Sequence, residues 1–87
     1  MKYSDYYYSK AHKASFKNMG SLSNDTLCGC FKCMEIFSPK EIKETIKEND
    51  GKETAICPYC KCDSIIGKAS GFPITRSFLL AMCRRYF

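Results

Sequence analysis

Two Cys-x-x-Cys pairs constrain the fold of this chain more than any other feature. They are Cys30-Phe-Lys-Cys33 and Cys57-Pro-Tyr-Cys60, and 23 residues separate them. Two residues between cysteines let one tight turn direct both sulfurs to a single point, and two such turns brought together supply four thiolates in a tetrahedral arrangement. The spacing therefore predicts one structural Zn²⁺ held by these four cysteines.

The size of the chain agrees with a structural metal. A chain of 87 residues is one small domain, in which a hydrophobic core alone gives little stability and a metal or disulfide often supplies the rest. The seven cysteines cannot all pair, and the amino terminus has no apolar run typical of a signal peptide. No segment is apolar enough to span a bilayer. We therefore expect a cytoplasmic protein without a membrane partner, in which thiols stay reduced.

The second pair also has a redox interpretation. Cys57-Pro-Tyr-Cys60 matches the active-site tetrapeptide of glutaredoxins, whose dithiol follows the first strand near the amino terminus. Here only residues 61–87 follow the pair, which is too few for the helices and strands of that fold, and the first pair would have no role. Zinc is favoured. A thiol redox enzyme and a different metal, such as iron, remain the alternatives.

Other residues could replace a ligand. Cys28 and Cys62 each lie two positions from a predicted ligand and could substitute for it in another register, but small buried thiols are the favoured interpretation. His12, the single histidine, is a third candidate, although four cysteines already satisfy zinc. Cys83 is interpreted as a core residue of the last helix.

The segments around the cysteine pairs predict a small α+β zinc ribbon. "TLCGCFKCMEIF" and "TAICPYCKCDSII" both show the pattern strand, knuckle, strand, so each pair is expected at the tip of a β-hairpin. Between them, Ser38 as N-cap, Pro39 at the first position and Glu41 in a capping box predict an inserted short helix. Thr75 is expected to cap a C-terminal helix, "RSFLLAMCRRYF".

The first residues are expected to form a separate arm. Tyr8, His12, Phe16 and Met19 have the spacing of one face of a helix ending before Gly20, and "GSLSND" is a turn-forming cluster. The predicted organisation is an N-terminal arm, residues 1–26, partly helical, followed by the zinc-ribbon domain with its C-terminal helix, residues 27–87.

Several of these motifs together carry a family resemblance. From "CGCFKC" through "SPKEI", "AICPYC", "DSIIG" and "GFPIT" to the final "RRYF", roughly residues 11–87, the sequence resembles a family of small uncharacterised bacterial zinc-ribbon proteins described as cytoplasmic. The resemblance implies the same four cysteines as metal ligands and brings no established reaction or partner. The chain departs from the expected pattern at Cys62, where a small or apolar residue would follow the second pair and its lysine.

The residues favour a binding module over an enzyme. Four thiolates close the coordination shell of zinc and leave no position for an activated water. One histidine is too few for a second, catalytic metal, and no general base for a cysteine nucleophile is visible. No small-molecule substrate is indicated.

Two kinds of macromolecular partner are consistent with the composition. The net charge of +5, or about +3 once four thiolates bind one Zn²⁺, is concentrated towards the carboxyl terminus and permits nucleic acid. The tyrosines at 3 and 6–8 and the apolar final helix favour, by a small margin, a protein partner or self-association. The residues available to nucleic acid are Lys61, Lys68, Arg76, Arg84 and Arg85, with Tyr59, Phe72, Tyr86 and Phe31 for stacking.

Overall fold

The computed structural model describes residues 3–87 and has an α+β fold with short antiparallel strands, as predicted. Its helices are α1 (Asp5–Lys13), α2 (Met19–Leu22) and α3 (Arg76–Tyr86). Its strands are β1 (Cys28–Cys30), β2 (Ile36–Phe37), β3 (Glu44–Lys47), β4 (Glu53–Ile56) and β5 (Ile65–Gly67). Two 3₁₀ turns, Pro39–Glu41 and Lys68–Ser70, complete the list.

The first sheet carries the first cysteine pair. It has the strand order β2-β1-β5, and both pairings are antiparallel. Cys28 lies opposite Phe37 on one side and opposite Gly67 on the other. The predicted hairpin around Cys30 and Cys33 is therefore confirmed, with β1 and β2 as its strands.

The inserted helix predicted at Ser38 is wrong. Ser38 does act as an N-cap, its hydroxyl accepting a hydrogen bond from the Lys40 N–H at 3.2 Å, but the helical turn ends at Glu41. The following residues form β3, which pairs with β4 from Glu44 opposite Ile56 to Lys47 opposite Glu53. Thr45 and Ile46 are β-branched and suit a strand, and pairing with β4 outweighs the helix-start signal.

The second predicted hairpin is also wrong in its pairing. Strands form at "ETAI" and within "DSIIG", as expected, but β4 pairs with β3 whereas β5 pairs with β1. The two strands beside the second cysteine pair thus belong to different sheets. This arrangement places the second pair at the junction between the two sheets.

The N-terminal helix packs against the C-terminal helix. Tyr8 and Ala11 of α1 are buried in one cluster with Phe78, Leu79 and Met82 of α3. Each large apolar side chain buried in this way contributes roughly 1.5–3 kcal/mol. The tyrosines at 3 and 7 also pack against this cluster, and the Tyr3 and Tyr7 rings stack with centroids 4.3 Å apart.

The ends of these helices follow local signals. Thr75 caps α3, its side chain accepting a hydrogen bond from the Phe78 N–H at 3.2 Å, as predicted. The first helix ends at Lys13, earlier than the predicted stop before Gly20, and His12 and Phe16 are exposed instead of buried. Met19 begins the separate short helix α2. No helix in residues 3–87 is long and apolar enough to cross a membrane.

A second buried cluster surrounds the cysteines. It combines Leu22 of α2 with residues of both sheets, among them Phe37, Ala55 and Ile65, and it includes Cys30 and Cys57. One buried side chain joins the two sheets here. The Asn18 amide donates to the Ile65 carbonyl at 2.7 Å and accepts from the Ala55 N–H at 3.1 Å.

Candidate metal centre

The first cysteine pair lies in a loop closed by backbone hydrogen bonds. The Cys30 N–H donates to the Glu35 carbonyl at 3.0 Å, and the Met34 N–H donates to the Cys30 carbonyl at 2.8 Å. The Lys32 N–H points at the Cys30 Sγ at 3.4 Å. Met34 has a φ of 61°, a left-handed conformation that is uncommon for a residue with a side chain. This residue turns the chain back after the second cysteine.

The second pair lies in a loop with the same bonds at equivalent positions. The Cys57 N–H donates to the Cys62 carbonyl at 2.9 Å, and the Lys61 N–H donates to the Cys57 carbonyl at 2.9 Å. The Tyr59 N–H points at the Cys57 Sγ at 3.4 Å, and Lys61 has a φ of 67°. Both loops therefore bend the chain in the same way and direct two sulfurs to one side.

The four sulfurs of the two loops meet. The Sγ atoms of Cys30 and Cys60 are 3.5 Å apart, those of Cys33 and Cys57 are 3.7 Å apart, and all four lie within 4.8 Å of one another. A tetrahedron with metal–sulfur bonds of about 2.3 Å has edges of about 3.8 Å. Because a disulfide is much shorter, and all seven cysteines are free thiols, the spacing fits four ligands around one ion.

The four cysteines differ in the direction in which their surroundings shift the pKa of the thiol. Burial raises the pKa of the Cys33, Cys57 and Cys60 thiols. Burial also opposes ionisation of Cys30, but hydrogen bonds from the Ser64 hydroxyl, at 3.1 Å, and from the loop backbone outweigh it and lower its pKa. Four thiolates so close together need a cation to compensate their charge.

Comparison with known proteins gives no relative. No family model matches the chain, and no significant match was found among curated proteins or solved structures. The geometry of the four cysteines is therefore what indicates their role.

The alternative ligands lie outside the cluster. Cys28 is fully buried in β1, and its thiol donates to the Phe37 carbonyl at 3.4 Å, while burial raises its pKa to about 12. Cys62 contributes its carbonyl to the second loop. The His12 ring packs against the Tyr86 ring, with centroids 4.1 Å apart and the ring planes tilted by 31°. None of the three belongs to the four-cysteine group.

The residues predicted as a partner surface differ in their contacts. The Lys61 ammonium pairs with Glu44 at 2.8 Å, and the Tyr59 hydroxyl donates to the Glu41 carboxylate. That hydrogen bond is the main reason why the pKa of Tyr59 is raised to about 12. Arg85 pairs with Asp5 of α1. The remaining members, Lys68, Arg76 and Arg84, are exposed.

A cleft adjoins the four-cysteine site, and no sequence pattern predicts it. The cleft has a volume of about 430 Å³ and lies between the end of α1, the end of α3 and the segment after the second loop. Phe31, predicted to be available for stacking, is 2 % exposed and lies in its wall beside Ser64. The two residues are joined by a bond from the Phe31 N–H to the Ser64 carbonyl at 2.9 Å. These contacts connect segments far apart in the sequence, and no local pattern signals them.

Proposed function

We propose that the protein is a zinc-ribbon module of the bacterial cytoplasm, in which one structural Zn²⁺ holds a small core together and the surface binds another macromolecule. The observation that carries the proposal is the convergence of four sulfurs from two loops with equivalent hydrogen bonds. Thiolate ligands with this spacing suit zinc, and a shell filled by four cysteines has a structural role. The bound ion would supply folding free energy and no reaction chemistry.

The same observation disfavours the redox alternative. A dithiol enzyme needs only Cys57 and Cys60. It would not explain why Cys30 and Cys33 lie next to them. In the structure each sulfur of the second pair lies beside a sulfur of the first pair, Cys57 at 3.7 Å from Cys33 and Cys60 at 3.5 Å from Cys30. The two pairs are thus arranged as one site.

The experiment combines metal content with folding. Protein purified without added metal should contain one zinc per chain. Removal of the metal with a strong chelator should replace the circular dichroism spectrum of the folded protein with that of an unfolded chain. Structural zinc in small domains contributes about 10–16 kcal/mol in apparent terms, more than such a fold has in reserve. Replacement of one ligand, Cys60→Ser, should lower the affinity for zinc. The matched variant Cys83→Ser should retain it, because Cys83 lies outside the cluster.

Two results would overturn the proposal. One is a chain that keeps its spectrum and cooperative unfolding after complete chelation. The other is a metal-free protein whose Cys57 and Cys60 form a disulfide that cycles with a reductant, which would restore the redox interpretation. A stoichiometric iron content would keep the structural role and change only the metal.

The structure weakens one argument for a protein partner. Tyr8 is buried, and Tyr3 and Tyr7 pack on the helical core, so these tyrosines stabilise the protein itself. Tyr6 alone of this cluster is strongly exposed, at 73 %. The aromatic side chains that remain exposed to a partner are Tyr6, Phe16, Tyr59 and Phe87.

A further inference from the structure

We propose that the cleft beside the metal centre, together with the adjoining face of α1, binds single-stranded nucleic acid. The inference deepens the proposed function, since it names the partner of the same module. It depends on the four-cysteine site for the position of the cleft wall and on exposed aromatic and basic side chains for recognition.

The first support is the exposure of aromatic rings around the cleft. Phe16 and Phe87 line it and are 53 % and 56 % exposed, whereas eight of the twelve aromatic side chains are buried or partly buried. Each exposed ring gives up the stabilisation that burial would provide. Nucleobases stack on such rings regardless of base identity. The cleft volume of about 430 Å³ is within the range of small-ligand sites.

The second support is the pairing of exposed rings with lysines. The Lys32 ammonium lies 4.8 Å from the centre of the Phe87 ring, and Lys10 lies 5.3 Å from Tyr6. Lys17 lies 5.1 Å from Phe16 but is also paired with Asp50, so it is less available to a phosphate than the other two. A base that stacks on one of these rings places its phosphate near an ammonium group. This combination of ring and cation suits a nucleotide strand better than an apolar peptide.

The third support is the distribution of charge. Lys13 lines the cleft and also a second, open depression of about 590 Å³ that contains Lys10 and Phe72. In residues 3–87, Lys10, Lys13 and Lys32 form no ion pair with a carboxylate. Asp63 is the acidic residue in the cleft. Two depressions that share one lysine favour a strand of several nucleotides over a single nucleotide.

The metal loops build the wall of this site. Phe31 lies between the two cysteines of the first pair, and Ser64 follows the second loop. The Ser64 hydroxyl is hydrogen-bonded to the Cys30 Sγ at 3.1 Å, and the Phe31 ring lies 5.8 Å from the Phe87 ring. Loss of the metal would therefore disorganise the cleft as well as the core.

The test is fluorescence anisotropy of a short labelled oligodeoxythymidylate and an oligouridylate, titrated with protein whose zinc content and fold have been verified. We expect saturable binding that weakens with salt. Phe16→Ala should weaken it about 10-fold, because a base loses its stacking platform. Ile46→Ala is the matched control: Ile46 is also exposed, at 45 %, but lies on β3 in the other sheet, and its loss should leave affinity unchanged.

A second pair of variants tests the charge. Lys13→Gln should reduce the slope of log affinity against log salt by about 0.7, the value for one phosphate contact on a single strand. Lys47→Gln on β3 removes the same charge and should leave the slope unchanged.

Four outcomes would overturn the inference. They are no binding at low salt by folded, metal-loaded protein; equal losses in the test and control variants; uridine monophosphate competing as strongly as the oligonucleotide; and a dimer, seen by light scattering, that Phe16→Ala dissociates. The last would assign the cleft to a second copy of the chain. If folded protein that contains zinc does not bind the oligonucleotides, only this inference is wrong. If the fold does not depend on a metal, the proposed function is wrong.

Discussion

Asn18 offers a sharp test of how the four-cysteine site is positioned. This buried side chain bridges Ile65 of the first sheet and Ala55 of the second, with hydrogen bonds of 2.7 and 3.1 Å. Asn18→Ala leaves a buried carbonyl and a buried N–H without partners, at about 1–3 kcal/mol each. Allowing for partial relaxation and water entry, we expect a loss of about 3 kcal/mol in the free energy of unfolding. For a chain of this size that lowers Tm by about 12–24 °C.

The assay is urea unfolding followed by circular dichroism, at one buffered concentration of free zinc so that metal binding contributes equally to each protein. Asn24→Ala is the control, because Asn24 is an exposed loop residue. Asn18→Asp adds an isosteric test: a carboxylate can still accept from the Ala55 N–H but cannot donate to the Ile65 carbonyl, so it should not rescue stability. If Asn18→Ala unfolds within about 0.5 kcal/mol of the control, the bridge between sheets is not what stabilises their arrangement.

Two further predictions concern a glycine and an ion pair. A Cβ added at Gly67 would lie 2.5 Å from the Asp25 carboxylate and 2.8 Å from Leu22, so Gly67→Ala should lower the free energy of unfolding in urea by about 1–3 kcal/mol. Gly20 has open space around it, so Gly20→Ala should not have this effect. Equal effects of the two substitutions would contradict the packing argument. The hydrogen bond from Lys17 lowers the pKa of Asp50, so this pair stabilises the fold above the unfolded-state pKa and ceases to do so as pH falls through the folded-state value. Carbon-detected NMR titration should show the Asp50 pKa rising in Lys17→Met, and an unchanged value would exclude the pair as its cause.

The sequence predicts the parts of this fold that depend on residues close together in the sequence. The hairpin at Cys30 and Cys33 and the cap at Thr75 are set by short-range spacing and hydrogen bonding, and both were found. The convergence of the two pairs also followed, since cysteines at this spacing have few other uses in a reduced protein.

Pairing between distant segments is where prediction failed. The signals at Ser38 and Pro39 indicate where a helical turn begins, and that turn exists, but they carry no information about its length. The strand at Glu44–Lys47 depends on a partner at Glu53–Ile56, and β5 is taken by β1 instead of β4. The Asn18 bridge and the cleft wall at Ser64 link residues more than thirty positions apart, so no local pattern reveals them.

The matching bonds of the two cysteine loops lead us to expect a particular order of assembly. Each loop closes within six residues, by bonds between Cys30 and Glu35 in one and between Cys57 and Cys62 in the other. We expect each loop to hold its two sulfurs in position before the rest of the chain is folded. Each loop can then act as a bidentate ligand. A metal ion bound by one loop would then need only the other loop, across a tether of 23 residues, to complete its coordination. Closing this tether costs about 3 kcal/mol of chain entropy, well below the roughly 10–16 kcal/mol of structural zinc binding, and would bring the two sheets together in the same event.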